Sequence, residues 1–355
     1  GVPQKLVSKY NISYDLVLNL IKNGQTKDFQ CFSERSMIYD EINKTTKYYQ
    51  EHIKELELSI KTKEESLKYS RTPIEECYRY LELEQLIKKS VNKKRKEYER
   101  ELKGLSDQYK FIHHDLISVG VISTLKQQRD KEKDSLKNQQ TFIELKTTAI
   151  CKVLEKEGFI EKIENDDGWK FTKMGQIASN VAEIHSLIAT RLYYYTDCFK
   201  TLDVKQLVGI FSCFTDIKVP QENRCVNPNS KDNSINKIIN YLREQCNYYD
   251  DIEGEYSLDT KITYSDLLMY DMIDYSMEWC EKESEEECKV FIRDVLSEKS
   301  ISIGDFTKAM MKIVTISREF ENVCETIVDL ESIYKLKQVE GLILKYVLTA
   351  QSLYV

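Results

Sequence analysis

The chain is 355 residues long, and 52 Lys and Arg against 59 Asp and Glu give a formal net charge of −7. Its length sets a soft expectation of about two domains. Hydrophobic residues make up 41%, with only 4 prolines and 11 glycines, which excludes a disordered chain and favours a helical one.

No window approaches the run of about 18 apolar residues that crosses a bilayer, and the first residues carry no signal-peptide pattern. The ten cysteines are scattered, with no CxxC and no Cys/His cluster. Free buried thiols in a reducing compartment fit this better than disulfides or zinc. No glycine is followed by Lys, so there is no GxxxxGK[ST] loop to cradle a triphosphate. GxGxxG, HExxH and GxSxG are absent as well. His52, His113, His114 and His185 offer no metal-ligand spacing. No catalytic site, cofactor or metal is expected in the chain itself.

In chain order, residues 10–22 read as a short apolar helix, capped by Ser13 and stopped by Gly24. Ile12, Leu16, Asn19 and Leu20 share one side. From about Ser33 to Tyr69 the pattern becomes heptads: Ile42, Thr46, Tyr49, Ile53, Leu56, Ile60, Lys63 and Leu67 step by four and three. All but Thr46 and Lys63 are apolar, and the surroundings are charged, as in an antiparallel or coiled-coil seam. A helix of that span reaches about 55 Å. Ser70-Arg71-Thr72-Pro73 breaks it, and Pro73 opens the next helix. A second seam follows at Tyr98, Leu102, Leu105, Tyr109, Ile112 and Leu116, with kinks expected at Gly104 and Gly120 and a charged helix running to Lys137.

Residues 143–181 differ in character. Ile143 to Glu157 reads as an amphipathic helix with Leu145, Ala149, Val153 and Leu154 inward, ended by Gly158. Phe159–Ile163 and Trp169–Phe171 alternate around Asn165-Asp166-Asp167-Gly168, a hairpin signal, and Thr172 then caps a helix to Val181. This is the second half of a winged helix whose missing partner is residues 10–22. Beyond Ile184 the pattern predicts helices over 184–199, 203–215, 234–249, 264–281, 284–297, 303–331 and 333–353. The connections Pro220–Asp232, expected to be mobile, and Asp250–Asp259, acidic, are placed at the surface. The expected fold class is mostly α: a winged helix split by an inserted long helical-hairpin or coiled-coil stalk, then an α-helical bundle. The boundaries are 1–33 and 143–183 for the winged helix, 34–142 for the stalk and 184–355 for the bundle.

Five segments carry a resemblance. Phe171-Thr-Lys-Met-Gly175-Gln-Ile-Ala178, Leu207-Val-Gly-Ile-Phe211-Ser-Cys213-Phe214, Gly304-Asp305-Phe306 and the closing Ala350-Gln-Ser-Leu-Tyr-Val355 resemble, in order, motifs of the DSHCT (DOB/SKI/helY C-terminal) domain of exosome-associated DExH-box RNA helicases. Ser13 to Leu20 resembles the segment that follows the second RecA-like motor domain there. The likeness covers 10–33 and 143–355, and the stalk by position only, where the family carries its "arch". It implies the C-terminal region of an ATP-dependent 3′–5′ RNA helicase, cut just after its motor. ATP and Mg are then expected only in the missing upstream domains, and the implied partners are single-stranded RNA and those motor domains. Three departures stand out. No strand-rich segment supplies the KOW barrel usual at the arch tip, Gln176 replaces the family's Arg, and Ile303 replaces its Glu.

After Gly304, Phe306, Met310, Ile313, Phe320, Cys324 and Ile327 form an apolar stripe, and Lys308 and Lys312 are expected to point about 180° away. The resemblance implies that this face lines the RNA channel; by pattern alone they are ordinary solvated lysines. Lys88-Lys89-Ser-Val-Asn-Lys93-Lys94-Arg95-Lys96 is a cationic run without an acid. Lys93, Lys94, Arg95 and Lys96 are RNA-phosphate candidates, or a solvated stalk face. Trp169 and Lys170 sit on the wing strand, where packing competes with nucleic-acid contact. Tyr193-Tyr194-Tyr195 offers stacking rings, at least one of which must be core. Glu281–Glu287, with five acids, would repel RNA and face solvent.

The leading expectation is therefore an accessory helicase region that guides single-stranded RNA along the bundle and uses the stalk for RNA or partner contacts. A non-enzymatic helical scaffold whose stalk docks a protein partner is the alternative. A winged-helix DNA-binding regulator is disfavoured, because −7 gives no broad basic footprint. No membrane role is expected, and the setting is intracellular: cytoplasmic, nuclear, or a viral protein in its host cell. The abundance of Lys, Asn, Ile and Tyr suggests an AT-rich genome.

Overall fold

A computed structural model describes residues 12–24, 37–67, 69–164, 168–217 and 219–349. The fold is mostly α, with one two-stranded antiparallel sheet. The described residues divide into two compact units, 37–144 in one and 12–24 with 145–349 in the other.

In the first unit, α2 (Met37–Leu67), α3 (Ile74–Lys89), α4 (Asn92–Gln108) and the beginning of α5 (Ile112–Lys156) share a core. Ile60 and Leu67 meet Cys77, Tyr80, Ile112, Val119 and Ile122, flanked by Leu102, Leu105 and Leu116. The surface pairs His52–Glu132, Glu57–Lys133 and Glu64–Lys126 show that α2 and α5 run antiparallel. Arg79 grips Glu101 through two hydrogen bonds of 2.7 and 3.1 Å, tying α3 to α4 as a hairpin turned at Ser90 and Val91. The Ser70–Pro73 break is anchored where Thr72 N–H donates to the buried Asp115 at 2.9 Å. Helices run unbroken through Gly104 and Gly120; the chain turns at Tyr109–Phe111 instead.

In the second unit, α1 (Tyr14–Lys22) starts where Ser13 Oγ accepts from Leu16 N–H at 3.2 Å, and Gly24 follows it at φ +68°. The buried face of α1 is Leu16, Val17, Leu18, Leu20 and Ile21, together with Tyr14, while Asn19 is exposed. α5 ends at Lys156, and Gly158 follows it at φ +78°. No break at residue 143 separates two helices: α5 is continuous, and Leu145 is 67% exposed rather than inward. Its buried positions here are Lys146, Thr147, Ile150, Cys151, Val153 and Leu154. β1 (Ile160–Lys162) and β2 (Trp169–Phe171) pair Ile160 with Phe171, Glu161 with Lys170 and Lys162 with Trp169. The intervening Asn165–Asp167 and the closing motif Ala350–Val355 lie outside the described residues.

The helices α6 (Lys173–Ala178), α7 (Ser186–Tyr195), α8 (Val204–Ser212), α9 (Asn233–Glu255), α10 (Ile273–Glu281), α11 (Glu285–Val290), α12 (Ile303–Ile327) and α13 (Leu330–Ile343) complete this unit. A π turn at Phe291–Val295 continues α11. Tyr193, Phe199, Phe211 and Phe320 form one aromatic core, and Trp279, Phe291 and Phe306 another. Two expectations change. The acidic stretch from Asp250 is no surface connection, because α9 runs on to Glu255 and buries Tyr249, Ile252 and Glu253. The segment before α10 is helical only from Ile273, with a single 3₁₀ turn at Tyr264–Asp266. The Pro220–Asp232 segment is tethered: Cys225 N–H donates to Asp271 at 2.8 Å and Ser230 Oγ to Asp274 at 2.5 Å.

Candidate nucleic-acid interface

α12 begins with Ser302 accepting from Asp305 N–H at 3.0 Å. From there Phe306, Ala309, Met310, Ile313, Val314, Ile316, Ser317, Phe320, Val323 and Cys324 are buried, an arc wider than the predicted stripe. Lys308 stands outside it and is exposed. Lys312 does not point directly away. At about 100° per residue it borders Val323 and Ile316 on the rim of the arc, is only 22% exposed, and pairs with Asp216 at 2.5 Å. Along the same exposed side lies Met311, 42% exposed, and then Arg318, which forks onto Glu340 at 3.2 and 2.7 Å. Glu319 lies about 20° around the helix from Lys308, on the same side and about three turns on; its carboxylate is engaged there, accepting from the Ala182 and Glu183 N–H groups at 3.2 and 2.9 Å, and burial pushes its pKa up.

In the first unit, the α3–α4 turn collects the cationic run. Lys88 and Lys89 close α3, where the negative end of the helix dipole favours them, whereas Lys93, Lys94, Arg95 and Lys96 occupy the first turns of α4, where it does not. All six are exposed, and Arg95 pairs with Glu99 at 2.9 Å. A solvated cluster that its own helix disfavours is available for anions.

The other ring and wing candidates divide. Tyr193 is fully buried and donates to Asp329 at 2.8 Å, while Tyr195 is 48% exposed and stacks on Tyr241 with centroids 3.8 Å apart. Trp169 lies under Lys162, and Lys170 pairs across the hairpin with Glu161 at 3.1 Å, so both wing residues have local partners. The residues of Glu281–Glu287 are exposed apart from the half-buried Lys282.

Several motif residues prove structural. Thr172 Oγ1 donates to Gly158 O at 2.6 Å and accepts from Gly175 N–H at 3.2 Å, locking α6 onto the hairpin. Leu207–Phe214 are buried throughout. The nine described cysteines are free, and burial pushes the thiols of Cys151, Cys246, Cys280 and Cys324 up to about 12.

Sequence reasoning passed over two groups. Asp197, Cys198 and Phe199 are consecutive non-glycine residues at φ +48°, +58° and +65°, a conformation costing about 1–2 kcal/mol each. α13 clamps that turn: Lys335 Nζ donates to the carbonyls of Phe199, Lys200 and Leu202 at 3.2, 3.1 and 3.0 Å, and Ser332 Oγ to Cys198 O at 2.5 Å. Lys335→Met is expected to cost about 2 kcal/mol, because carbonyls held by a cation lose their donor while the strain remains. A urea midpoint unchanged from the parent protein would refute that role.

The second group is buried. His185 Nε2 lies 3.1 Å from Tyr264 OH, which donates to Glu253 at 2.7 Å; Thr260 donates to the same carboxylate at 2.8 Å. Tyr14 and Tyr249 enclose the imidazole. No spacing pattern announces contacts between residues this far apart in the chain.

Among the described residues no three His, Cys, Asp or Glu side chains gather as metal ligands, and no helix is long and apolar enough to cross a membrane. A family model described as the DSHCT (NUC185) domain matches residues 168–350. No curated protein matches the chain.

Proposed function

The chain belongs to the DSHCT (NUC185) domain family, a helicase-associated C-terminal region, and from that we propose that it serves an ATP-dependent 3′–5′ RNA helicase of the SKI/DOB/helY type by guiding single-stranded RNA. In this reading α1, the end of α5, β1, β2 and α6 form a winged helix, the first unit is an arch-like stalk, and α7–α13 form the guiding bundle. In this reading ATP hydrolysis belongs to the helicase's RecA-like domains; the sequence here carries no GxxxxGK[ST] loop, and no step of hydrolysis is assigned to it.

The observation that carries the proposal is the exposed side of α12, where Lys308 stands free in solvent on a helix otherwise bolted into the core. A rigid helix presenting a cation, an exposed Met311 and a second cation can touch phosphates and slide along bases without reading sequence. Lys312 enters through exchange: its partner Asp216 is 71% exposed, so a phosphate competes with a carboxylate that itself returns to water. The α3–α4 turn, with Lys93, Lys94, Arg95 and Lys96, supplies a second phosphate contact on the stalk.

RNA binding by the isolated chain is then weak and falls steeply with salt, because each neutralised phosphate releases counterions. Lys308→Glu with Lys312→Glu is expected to lower affinity for a uridine 20-mer at least tenfold. Asp216→Asn, which suits a backbone at φ +53°, is expected to raise it by freeing Lys312. Fluorescence anisotropy across a salt series reads both. Equal binding by the parent, the double Glu variant and Asp216→Asn would remove α12 from the RNA path.

A further inference from the structure

A groove of about 520 Å³ opens in the second unit between α9, the tethered segment after Pro220 and the 3₁₀ turn at Tyr264–Asp266. It shares no residue with the exposed side of α12. Its volume falls within the range of small-ligand sites, roughly 300–1,000 Å³. Tyr264 and Leu268, both buried, line it with apolar surface. Two guanidiniums, Arg224 and Arg243, and the amide of Asn247 also line it.

Neither arginine is committed to a strong partner. Arg243 donates to the Asn227 side-chain oxygen at 3.2 Å and lies 5.9 Å from the centre of the Tyr270 ring, which also lines the groove. Arg224 donates to Met269 Sδ at 3.3 Å, a weak acceptor. Among the described residues Asp266 is the carboxylate that reaches a guanidinium here, at 4.0 Å, and it is 61% exposed. Apart from that long contact of Arg224 with an exposed carboxylate, the two arginines are turned on thioether, amide and aromatic ring, which leaves their fork geometry open for an oxyanion.

We propose that this groove binds a nucleoside monophosphate unit, its phosphate between Arg224 and Arg243 and its base against Tyr270 and Leu268. The phosphate is the anion whose two or three free oxygens match a pair of guanidiniums. Tyr270 offers a ring face that Arg243 already shares, so a base enters an existing cation–ring arrangement. The Asn247 amide donates and accepts at once, which suits the edge of a base better than a second anion. An acidic peptide would satisfy the arginines but leave the ring and the apolar floor without a matching surface. The unit belongs either to a free mononucleotide or to the phosphorylated end of an RNA.

The test is calorimetric, on the full chain, with UMP, uridine, a tetraglutamate peptide, and a uridine hexamer with and without a 5′-phosphate. UMP is expected to bind at least tenfold more tightly than uridine or tetraglutamate. Arg224→Gln with Arg243→Gln is expected to weaken UMP binding at least tenfold, with the thermal midpoint checked to exclude unfolding. Arg243→Lys, which keeps charge and loses the fork, should lose part of that affinity and serves if the double variant does not fold. A phosphorylated hexamer that binds like UMP and is displaced by it identifies an RNA end; UMP binding alone identifies a free nucleotide. Absent UMP binding, UMP binding indifferent to the arginine variants, or equal competition by tetraglutamate would overturn the proposal. Lys308→Glu with Lys312→Glu leaves UMP binding unchanged, so failure here and failure of the α12 path are read separately.

Discussion

Gly175→Ala is expected to destabilise the second unit by about 3 kcal/mol, well above the cost of an ordinary helix substitution. A Cβ at this position would stand inside the van der Waals surface of the Phe159 carbonyl oxygen and 2.8 Å from Phe171 Cδ1. The obstacle is backbone, which cannot rotate away. Relief requires α6 to move off the hairpin, and the same movement stretches Thr172 N–H to Phe159 O, now 3.1 Å, and Thr172 Oγ1 to Gly158 O. Gly209→Ala is the control. Its Cβ meets Met277 Cγ and Sδ at 2.9 Å, part of a flexible side chain, so its cost is expected near about 1 kcal/mol. Urea titration followed by circular dichroism measures both. Equal midpoints for the two variants would mean that the approach of α6 to β1 is not the constraint described.

Acid is expected to weaken the second unit through His185. Burial holds this imidazole neutral down to about 4, against about 6.5 when exposed. Its Nδ1 accepts from the Ile188 N–H at 3.4 Å as the cap of α7, which leaves the ring proton on Nε2, facing Tyr264. Protonation would set an N–H against the N–H it caps. The surrounding rings of Tyr14, Tyr249 and Tyr264 supply little hydration, and the Glu253 carboxylate is reached only through Tyr264.

The sign follows from which state takes the proton first. Above pH 6.5 both states are neutral and the contribution is constant. Between 6.5 and 4 the unfolded chain binds a proton that the folded one refuses, so stability falls, by about 3 kcal/mol in total, and it levels off below 4. His185→Asn keeps a capping side chain and removes the titration. Its stability is expected to change less than that of the parent protein between pH 7 and 4. Identical pH profiles for the two proteins would show that His185 is hydrated in the fold.

Local chemistry announces itself in the primary structure. Ser13 before an apolar run, Gly24 and Gly158 in left-handed turns, and the pairing of β1 with β2 as a hairpin all depend on residues close to one another in the chain. Such signals survive without any knowledge of the surroundings. The helical character of the whole, the α2 seam of Tyr49, Ile53, Leu56, Ile60 and Leu67, and the solvent-facing Lys308 belong with them.

Packing partners decided the remainder. Leu145 looked inward by period and is exposed, because a helix buries the side that meets a neighbour, and α5 carries apolar residues on several sides. Asp250 and Asp251 suggested a surface link, yet Tyr249 and Ile252 draw α9 through them, and Glu253 follows into the interior because Tyr264 and Thr260 satisfy its oxygens. Lys312 read as the twin of Lys308, yet Asp216, four residues beyond α8, pairs with it and leaves Lys308 as the solvated one. Arg224, Arg243 and Tyr270 share no motif, and the fold alone lines one groove with them. Hydrogen bonds and ion pairs between distant segments leave no periodic trace, since each needs only one residue of suitable chemistry at each end. A composition of −7 therefore says little about anion binding here: that property rests on which few cations the tertiary structure leaves without a carboxylate.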